Sequence, residues 1–376
     1  MSKPLSYIEL SKDNLIHNFK ELKKLAKRGT KFSVAVKGNA YGHGLEEVVK
    51  ILDPYADYFQ VNSIEELEAV RKITKKKVLL LGYVAEEDLA RTVKLGCILS
   101  VFSLEQLSKI SAIAEKFDKK QEIHLPIDAH LGREGFLIDD LPGFFLALED
   151  CKKIKLTGIY AHFANIEDTN NFTHAKRQID RYLKAIKISS QFGHKKLQTH
   201  ISATSGLLVY EKGKGINPLV RLGIGVYGMW PSEHIKFLYK NKLELCPVLA
   251  WKTKVAQVKT LPPGSTIGYG LTYMTHEKTK IAVIPQGYAD GFDRGLSNKA
   301  EVLIKGKRCK ILGRVAMNMF VVNVSHSPET SEGDEVALLG KQGNETITPE
   351  EMAEKIDTIN YEITTRISPL LSRIVV

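Results

Sequence analysis

The sequence has few cysteines, and they are not arranged to pair or to bind a metal. They stand far apart in the chain and form no Cys-x-x-Cys motif. A disulfide-bonded secreted fold or a zinc module needs cysteines at short, regular spacings. We therefore expect free thiols in a reducing cytoplasm and no metal site. The four cysteines are Cys97, Cys151, Cys246 and Cys309.

The chain also lacks a long hydrophobic run. It contains no stretch of about 18 apolar residues, the length that a transmembrane helix needs. Its first ten residues contain no extended apolar region of the kind found in secretory signals. We expect a cytoplasmic protein with no membrane partner.

Signatures of nucleic-acid binding are missing as well. The net charge is +11, but lysine runs such as Lys75–Lys77 are more typical of a solvated surface. No basic stripe alternates with aromatic residues, and there is no zinc-finger spacing or ribonucleoprotein motif. The composition predicts no nucleic-acid partner, and the positive charge suits small anionic ligands.

The sequence does have enough length for two domains and enough apolar residues, 43%, for a sizeable core. Short apolar runs alternate with amphipathic segments through the first two-thirds of the chain. Eight such strands separated by helices predict a (β/α)8 TIM-like barrel over residues 11–232. The predicted strands are 32–36, 58–61, 78–81, 98–102, 122–128, 156–162, 197–202 and 219–225.

Two connecting segments have helical periodicity. Residues 13–28 carry apolar side chains at helical spacing, and Gly29 is predicted to end that helix. Residues 178–192 form a second predicted helix. Its expected apolar face consists of Ile179, Tyr182, Leu183, Ile186 and Ile188.

The pattern changes to alternating strands broken by turns from about residue 245 onwards. Pro263-Gly264 and Gly333-Asp334 are typical turn dipeptides, and residues 302–304, 311–312 and 335–339 have strand character. We predict a mainly β second domain over residues 243–376, joined by an N-terminal strand within residues 1–10. Residues 231–242 are predicted to be the linker.

One lysine follows the first predicted barrel strand directly. The segment Val-Ala-Val-Lys-Gly-Asn-Ala-Tyr-Gly-His-Gly over residues 34–44 ends a strand on Lys37 and continues into a glycine-rich turn. A lysine in an apolar setting loses basicity and can form an imine with an aldehyde cofactor. Strand and lysine alone favour a simpler interpretation, a side chain that extends from the strand end to solvent.

Polar residues also collect at the carboxyl ends of other predicted strands, where barrel enzymes place their active sites. Taken singly, His162 fits a core histidine, Arg221 an ion-pair partner, and Ser205-Gly206 an ordinary turn. Their joint position on one face favours a site. The hydroxyl groups and backbone N–H groups of residues 202–206 and 223–224 could bind a phosphate, and Arg133 could bind a carboxylate.

The string over residues 34–44 resembles the cofactor-lysine motif of alanine racemases, which are fold-type III enzymes dependent on pyridoxal 5′-phosphate (PLP). The resemblance extends from Ile8 to Tyr361. Further similar motifs are Asp-Ala-His-Leu-Gly-Arg (128–133), Gly-Ile-Tyr-Ala-His-Phe (158–163), Val-Arg-Leu-Gly-Ile (220–224), Gly-Tyr-Gly-Leu-Thr (268–272), Pro-Gln-Gly-Tyr-Ala-Asp-Gly (285–291) and Gly-Arg-Val-Ala-Met-Asn (313–318).

This resemblance implies a two-base racemisation of L-alanine and D-alanine, with Lys37 and Tyr269 as the two proton-transfer groups. It further implies that His162 and Arg221 support Tyr269, and that Arg221 contacts the pyridine nitrogen. The cofactor contacts that it implies are Lys37, Tyr41, Thr204, Ser205, Arg221, Gly223, Ile224 and Tyr361. The substrate contacts that it implies are Arg133, Met317 and Tyr288.

The resemblance also implies a head-to-tail homodimer, in which Tyr269, Tyr288 and Met317 come from the second subunit. The implied role is the supply of D-alanine for peptidoglycan precursors.

Three positions depart from the family pattern, and all surround the expected substrate. Pro126 stands where a carbamylated lysine often orients the substrate arginine, Ala129-His130 replaces Thr-Gly, and Asn318 replaces an aspartate. A racemase of other amino acids, such as serine or lysine, is therefore an alternative. A PLP-dependent decarboxylase using Cys309 is a second, which Arg221 opposes. A non-catalytic PLP-binding single barrel is a third, which the second domain opposes.

Overall fold

The structure is a computed structural model that describes residues 3–211 and 217–376. Residues 1 and 2 of the predicted N-terminal strand lie outside the described residues. The chain divides into two compact units. The barrel unit comprises Leu15–Lys37 and Val48–Cys246, and the β unit comprises the chain up to Asn14, Gly38–Glu47 and Pro247–Val376.

The strands and helices follow one another along the chain in the following order. The strands are β1 (Tyr7–Leu10), β2 (Lys31–Ala35), β3 (Tyr58–Val61), β4 (Lys77–Leu80), β5 (Ile98–Ser100), β6 (Gln121–Pro126), β7 (Ile154–Tyr160), β8 (Gln198–His200), β9 (Leu219–Leu222), β10 (Leu249–Lys254), β11 (Gln257–Leu261), β12 (Thr266–Ile267), β13 (Tyr273–Met274), β14 (Thr279–Ile284), β15 (Glu301–Ile304), β16 (Lys307–Leu312), β17 (Phe320–Asn323), β18 (Glu335–Gln342), β19 (Glu345–Ile347) and β20 (Ser372–Val375). The helices are α1 (Lys12–Lys24), α2 (Lys37–Tyr41), α3 (Leu45–Leu52), α4 (Ile64–Arg71), α5 (Glu86–Leu95), α6 (Leu104–Lys116), α7 (Leu141–Glu149), α8 (Thr173–Gln191), α9 (Thr204–Gly206), α10 (Glu233–Tyr239), α11 (Pro349–Lys355) and α12 (Asn360–Thr365).

The barrel unit is built on eight parallel strands, β2 to β9, in which each strand pairs with its neighbour in sequence from β2 to β8. The eighth strand, β9, pairs with β2. The ring closes where the N–H of Arg221 donates to the carbonyl of Ser202, 3.0 Å away. The predicted TIM-like barrel is confirmed, and every predicted strand overlaps an observed one.

The observed strands end up to three residues earlier than predicted. Lys37 and His162 therefore do not end their strands; each lies two residues beyond, after Ala35 and Tyr160 respectively. The predicted strands were too long because Val36 and Ala161, the first residues after the observed strands, are also apolar and buried. Side-chain pattern alone cannot show where the strand pairing stops.

Helix α1 ends at Lys24, so the prediction that Gly29 terminates it is wrong. Leu25 and Ala26 instead donate to the carbonyls of Leu22 and Lys23, three residues back, which tightens the chain into turns. Gly29 has a positive φ of 93° within the turn that follows.

The predicted apolar face of α8 is also wrong in part, because Leu183 is exposed. The buried face contains Tyr182, as predicted, together with Gln178. Gln178 Nε2 donates to the carbonyls of Ala129 and His162, and the Tyr182 hydroxyl donates to the carbonyl of Ile159. Buried polar side chains are stable here because they satisfy backbone carbonyl groups of the barrel.

The β unit is mainly one ten-stranded sheet, in the order β11-β14-β17-β16-β15-β18-β10-β1-β20, with β19 paired to β18. Strand β1 pairs antiparallel with β10 and parallel with β20. The predicted strands at residues 302–304, 311–312 and 335–339 are confirmed. Trp251, Phe292 and Phe320 lie in its core, where the last two rings stack 4.6 Å apart.

Helix α10 lies within residues 231–242, the segment predicted as the linker. Among the described residues, no helix has both the length and the apolar character that crossing a bilayer requires.

Candidate active site

Lys37 lies at the carboxyl end of the barrel, directly after the buried residues Val34, Ala35 and Val36. The N–H of Val36 donates to the carbonyl of Gln60, 2.9 Å away, and fixes the chain just before the lysine. Lys37 itself is exposed to solvent. Partial burial of the amine, and then the charges of Arg133 and Arg221, lower its pKa. A lowered pKa increases the fraction of unprotonated amine near neutral pH, and only the unprotonated amine can accept a proton or act as a nucleophile.

The four residues of α2 after Lys37 form one left-handed turn in the β unit and not a right-handed helix. Gly38, Asn39, Ala40 and Tyr41 all have φ between 51° and 61°. Each non-glycine residue in this conformation costs roughly 1–2 kcal/mol. The Asn39 side chain offsets part of that cost, because its Oδ1 accepts from the N–H of Leu45 at 2.9 Å.

The left-handed turn places Tyr41 beside Tyr361 of α12, with ring centroids 5.9 Å apart. Gly42 allows this approach, since a Cβ there would lie 1.9 Å from the carbonyl oxygen of Thr364. Arg373 Nη2 also donates to the carbonyl of Gly42 at 2.9 Å. The two tyrosines predicted to contact the cofactor phosphate are therefore neighbours.

Arg221 on β9 is almost completely buried in the barrel. Its Nη1 donates to His200 Nδ1 and, at 3.0 Å, to the His200 carbonyl. Its Nη2 donates to the carbonyls of Ala161 at 2.8 Å and Ile201 at 3.3 Å, and lies 3.4 Å from His162 Nδ1. All these bonds use the two Nη atoms, so within the described chain the Nε–H group stays available to a ligand.

The guanidinium of Arg221 fixes the tautomer of both histidines. Arginine can only donate, so Nδ1 of His162 and of His200 must each be an acceptor, and the proton resides on Nε2. Burial, and then the charges of Arg221, Arg133 and Lys37, lower the pKa of His162 to about 3. His162 is therefore neutral at physiological pH and presents an Nε2–H donor.

Four further side chains, those of His200, His124, Tyr160 and Ser100, extend this network through the barrel core, and the sequence analysis missed them. His200 Nε2 donates to His124 Nδ1 at 2.8 Å. The Tyr160 ring stacks on His200 at 5.0 Å, and its hydroxyl bonds Ser100 Oγ at 2.9 Å. His200 lies within a predicted strand near its carboxyl end, so the strand-end rule could have found it. Tyr160 lies equally close to the end of its predicted strand, 156–162, and within the motif at 158–163, so the same rule could have found it. His124 carries no such signal.

The predicted phosphate contacts lie together at the ends of β8 and β9. Thr204 Oγ1 accepts from the N–H groups of Gly223 at 3.2 Å and Gly225 at 3.3 Å. With both lone pairs used, the Thr204 hydroxyl proton is free to donate to an anion. The N–H of Gly223 is already engaged by Thr204, whereas Ile224 begins a short 3₁₀ helix (Ile224–Tyr227).

A carboxylate that the sequence analysis missed lies beside Ser205. The Ser205 hydroxyl donates to Glu167 Oε2 at 2.5 Å. Burial raises the pKa of Glu167. An ionised Glu167 would repel a phosphate beside Ser205. For Ser205 to bind a phosphate, either its hydrogen bond to Glu167 must break or Glu167 must be protonated.

Arg133 lies on the loop after β6, as predicted, and its side chain is 60% exposed. Its guanidinium pairs with Glu134 on the next residue, through Nε to Oε2 and through Nη2 to Oε1, the latter at 2.7 Å. Sequence analysis did not single out Glu134, although an acidic residue directly after Arg133 is a possible ion-pair partner.

Tyr269, Tyr288 and Met317 lie on exposed connections of the β unit, with 75%, 44% and 55% of each residue accessible, and the first two begin the short 3₁₀ segments Tyr269–Leu271 and Tyr288–Asp290. These connections adjoin one another. A Cβ on Gly270 would lie 2.7 Å from Arg314 Nη1, and the N–H of Tyr288 donates to the carbonyl of Ala316 at 3.1 Å. Both phenols therefore belong to one exposed surface, which also carries Leu271 and Met319.

No cluster of three or more His, Cys, Asp or Glu side chains suited to a metal ion occurs within residues 3–211 and 217–376. The site that the barrel unit presents is instead a group of cations, Lys37, Arg133 and Arg221, around a neutral histidine. Such a group suits an anionic ligand.

Comparison with known proteins gives the same family for both parts of the chain. Residues 10–231 match the family described as alanine racemase, N-terminal domain. Residues 248–375 match the family described as alanine racemase, C-terminal domain.

Individual relatives match over nearly their whole length. An alanine racemase of Carboxydothermus hydrogenoformans is 37% identical, covering 98% of this chain and 99% of the relative. One from Leptospira interrogans is 34% identical, covering 99% and 96%. The solved alanine racemase of Clostridium difficile 630 superposes with a TM-score of 0.91 at 31% identity, covering 100% and 97%. A Bacillus anthracis alanine racemase with bound L-Ala-P gives a TM-score of 0.92 at 30% identity, covering 100% and 96%. The chain therefore belongs to the alanine racemase family.

Proposed function

We propose that this protein is a PLP-dependent racemase that interconverts L-alanine and D-alanine. The observation that carries this proposal is the contact of the buried Arg221 with Nδ1 of His162, a histidine that burial, and then the charge of Arg221, keep neutral, so that His162 offers an Nε2–H while Arg221 keeps its own Nε–H for a ligand. The same mouth contains Lys37, an amine of lowered pKa.

The residues of the barrel unit fit the cofactor by their chemistry. Lys37 supplies an amine that can bond an aldehyde, and Arg221 Nε–H supplies a donor for a ring nitrogen. Thr204 and Ile224 supply a hydroxyl and a backbone N–H for a phosphate, and Ser205 does so once it is released from Glu167. Tyr41 and Tyr361, the other cofactor contacts that the family resemblance implies, adjoin each other within the β unit.

Bound PLP supplies an electron sink for the α-carbon of an amino acid. Racemisation then needs one acid/base group on each face of that carbon. Lys37 would serve one face, and its lowered pKa suits it to accept a proton. Tyr269 would serve the other, with neutral His162 donating an Nε2–H to the phenolic oxygen. Arg133 would bind the substrate carboxylate.

An arginine opposite the ring nitrogen distinguishes this chemistry from other uses of PLP. Arg221 can donate but cannot accept, so it favours an unprotonated ring nitrogen and weaker electron withdrawal. Weak withdrawal favours immediate return of the proton to the α-carbon, as racemisation requires.

We also propose that the active enzyme is a homodimer with shared sites. Tyr269, Tyr288 and Met317 lie on one exposed surface of the β unit with the apolar residues Leu271 and Met319. Large exposed apolar residues gathered in one patch are typical of an interface. In the proposed dimer, this surface of one subunit completes the barrel mouth of its partner.

A decarboxylase is disfavoured by the setting of Cys309. That residue is fully buried on β16, and burial raises the pKa of its thiol to about 12. A buried neutral thiol is a poor catalytic group.

We further propose a cytoplasmic location and a role in supplying D-alanine for peptidoglycan precursors. The location is supported by the four free thiols, two of them only partly buried, which persist in a reducing compartment.

The experiment that tests the function is a racemisation assay of the purified, PLP-loaded protein with L-alanine, L-serine and L-lysine side by side. We expect L-alanine to give the highest kcat/KM. Reduction with borohydride before digestion should attach the cofactor to Lys37. Absence of racemisation with every substrate, or label on another residue, would contradict the proposal.

The Tyr269→Phe variant tests the two-base scheme. In D₂O it should lose α-proton exchange with one alanine enantiomer by about 10²–10⁴-fold, and far less with the other, because only one face loses its acid/base group. Equal losses for both enantiomers would argue against it. The matched control is Tyr273→Phe, a partly buried tyrosine on the nearby strand β13.

A further inference from the structure

The loop after β6 fixes its own backbone but leaves the Arg133 side chain to be held by something else. Asp128 Oδ1 accepts from the N–H groups of Leu131 and Gly132, at 2.9 and 3.0 Å. A Cβ on Gly135 would lie 2.5 Å from the N of Asp128, so the loop closes tightly there. Arg133 and Glu134 directly precede this closing point.

Arg133 is a long, mostly exposed side chain. Without a partner it would populate many rotamers, and ordering it on binding would cost affinity. Seven residues earlier, where the family pattern often has a carbamylated lysine that orients this arginine, the chain has Pro126, which carries no side-chain amine to modify. The only hydrogen bonds of the Arg133 guanidinium within the described residues are those to Glu134.

The geometry of the pair matters because a guanidinium has two edges that can each bind a carboxylate. The Arg133 bonds to Glu134 use the Nε and Nη2 atoms, which form the lateral edge. The other edge, formed by Nη1 and Nη2, remains open for a second carboxylate. A pair of this kind fixes the plane of the guanidinium and so the direction of its open edge.

The charge of Glu134 is secured by the same contact. Partial burial alone would raise the pKa of its carboxyl group, but the hydrogen bond and the charge of Arg133 lower it. The charge of Glu134 also acts on the nearby cationic residues. Arg133 and Arg221 lower the pKa values of Lys37 and His162, and Glu134 opposes that effect.

We propose that Glu134 is a positioning residue for the substrate: its carboxylate occupies the lateral edge of Arg133 and directs the open edge toward the substrate carboxylate. Glu134 thereby acts as a built-in anion where the chain has Pro126 in place of a modifiable lysine. This inference rests on the proposed racemase function and on the assignment of Arg133 as the carboxylate-binding residue.

An exposed pair between sequence neighbours could instead be a surface ion pair of little consequence. The two interpretations predict different effects of removing Glu134 on the kinetic constants. A surface pair would leave KM unaltered, whereas a positioning residue would raise KM without a comparable fall in kcat, because carboxylate binding is needed by substrate and transition state alike.

The test uses the PLP-loaded Glu134→Ala and Glu134→Gln variants with L-alanine. For Glu134→Ala we expect KM to rise about five- to tenfold while kcat stays within about twofold, and for Glu134→Gln a smaller rise, because the amide keeps one acceptor. Potassium chloride should lower the KM of Glu134→Ala towards that of the unaltered protein, since a free anion can occupy the vacated edge. The KM of the unaltered protein should not fall with chloride.

A second measurement does not depend on turnover. Propionate, a carboxylate without the amino group, should bind the PLP-loaded Glu134→Ala variant about five- to tenfold more weakly than the unaltered protein in calorimetry. The matched control is Glu68→Ala, which removes the carboxylate that pairs with the exposed Arg91 on the barrel helices. We expect it to change neither KM nor propionate binding.

The outcomes distinguish a failure of the positioning role of Glu134 from a failure of the proposed racemase function. If the unaltered protein racemises alanine but Glu134→Ala shows an unchanged KM and unchanged propionate affinity, Glu134 does not position Arg133. A lower KM would show that Glu134 competes with the substrate for Arg133, which also overturns the inference. If racemisation is absent while propionate binding weakens as expected, the function is wrong and the positioning role stands.

Discussion

At the scale of single residues, the distinguishing feature of the chain is a set of buried histidines kept neutral. Burial lowers the pKa of His43 to about 4, and of His124 and His162 to about 3. Burial, and then the charges of Arg221 and His124, lower the pKa of His200 well below its usual value. Neutral rings are what the Arg221 network requires, because a protonated Nδ1 could not accept from a guanidinium.

These histidines make stability depend on pH in a defined direction. Each has an ordinary pKa near 6.5 in the unfolded chain and a lower one in the folded protein, so below about pH 6.5 the unfolded chain binds more protons. The stabilising neutral form is fully favoured above that pH. Its contribution falls as the pH drops from about 6.5 toward the folded value, by about 1.4 kcal/mol per pH unit for each histidine.

The His124→Gln variant tests this dependence. Glutamine keeps a polar group near His200 but cannot titrate, so between pH 6.5 and 4.5 the free energy of unfolding should decline less steeply than in the unaltered protein. The expected difference in slope is about one proton, measured by urea unfolding at several pH values. The exposed His276→Gln is a suitable control. Parallel slopes for all three proteins would contradict the prediction.

At the scale of elements, the left-handed turn Gly38–Tyr41 stands out because all four of its residues have a positive φ. Three of its four residues are not glycine, so several kcal/mol of conformational strain are held in place by surrounding contacts. The next residue, Gly42, contributes to these contacts, because it packs against the carbonyl of Thr364 and its own carbonyl accepts from Arg373 Nη2. The strain persists next to Lys37, where the turn sets the position of Tyr41.

The Gly42→Ala substitution should disrupt this element. Gly42 has a φ of 83°, and an added Cβ would meet the Thr364 carbonyl at 1.9 Å, so both strain and overlap oppose the change. We expect a loss of at least about 2 kcal/mol in unfolding free energy and faster PLP dissociation. Gly143→Ala is the control, because it lies inside α7 with no atom within 4 Å of the new Cβ. It should be neutral or stabilising by up to about 1 kcal/mol.

At the scale of the whole molecule, the proposed catalytic groups divide between the two units. The barrel unit carries Lys37, His162 and Arg221, and the β unit carries Tyr269, Tyr288 and Met317. If the proposed dimer shares its sites, a defect in one unit can be complemented by a second chain that is defective in the other unit.

Mixing inactive variants tests the shared site directly. Lys37→Ala and Tyr269→Phe should each be nearly inactive alone. After joint unfolding and refolding in equal amounts, half of the dimers should be mixed, and each should contain one intact site. Activity should then recover to roughly a quarter of that of the unaltered protein.

A site formed within one chain would give no recovery on mixing. The Leu271→Glu variant supplies a second measure, because a charge on the exposed surface around Tyr269 should weaken the dimer in sedimentation experiments. Phe237→Glu is its control, a comparably exposed aromatic residue on α10 of the barrel unit.

Local signals made much of this protein predictable. Strand periodicity gave all eight barrel strands, and the motif around Lys37 gave the family, because both depend on residues that are adjacent in the sequence. The limits and buried faces of helices were predicted less accurately than the strands. The end of α1 and the exposure of Leu183 depend on how turns and carbonyl groups of the barrel are satisfied, which a single segment does not contain.

The sequence by itself determined the barrel, the second β unit, the family and the residue types that the chemistry needs, since periodicity and contiguous motifs are local properties. Only the tertiary structure decided the partners of those residues. Arg221 meets His162 and His200 across 59 and 21 positions of the chain, and His200 meets His124 across 76. Closure of the barrel brings them together, and burial there keeps the histidines neutral. Even the contact between Arg133 and its neighbour Glu134 required coordinates, because adjacency in sequence does not specify which edge of a guanidinium is occupied.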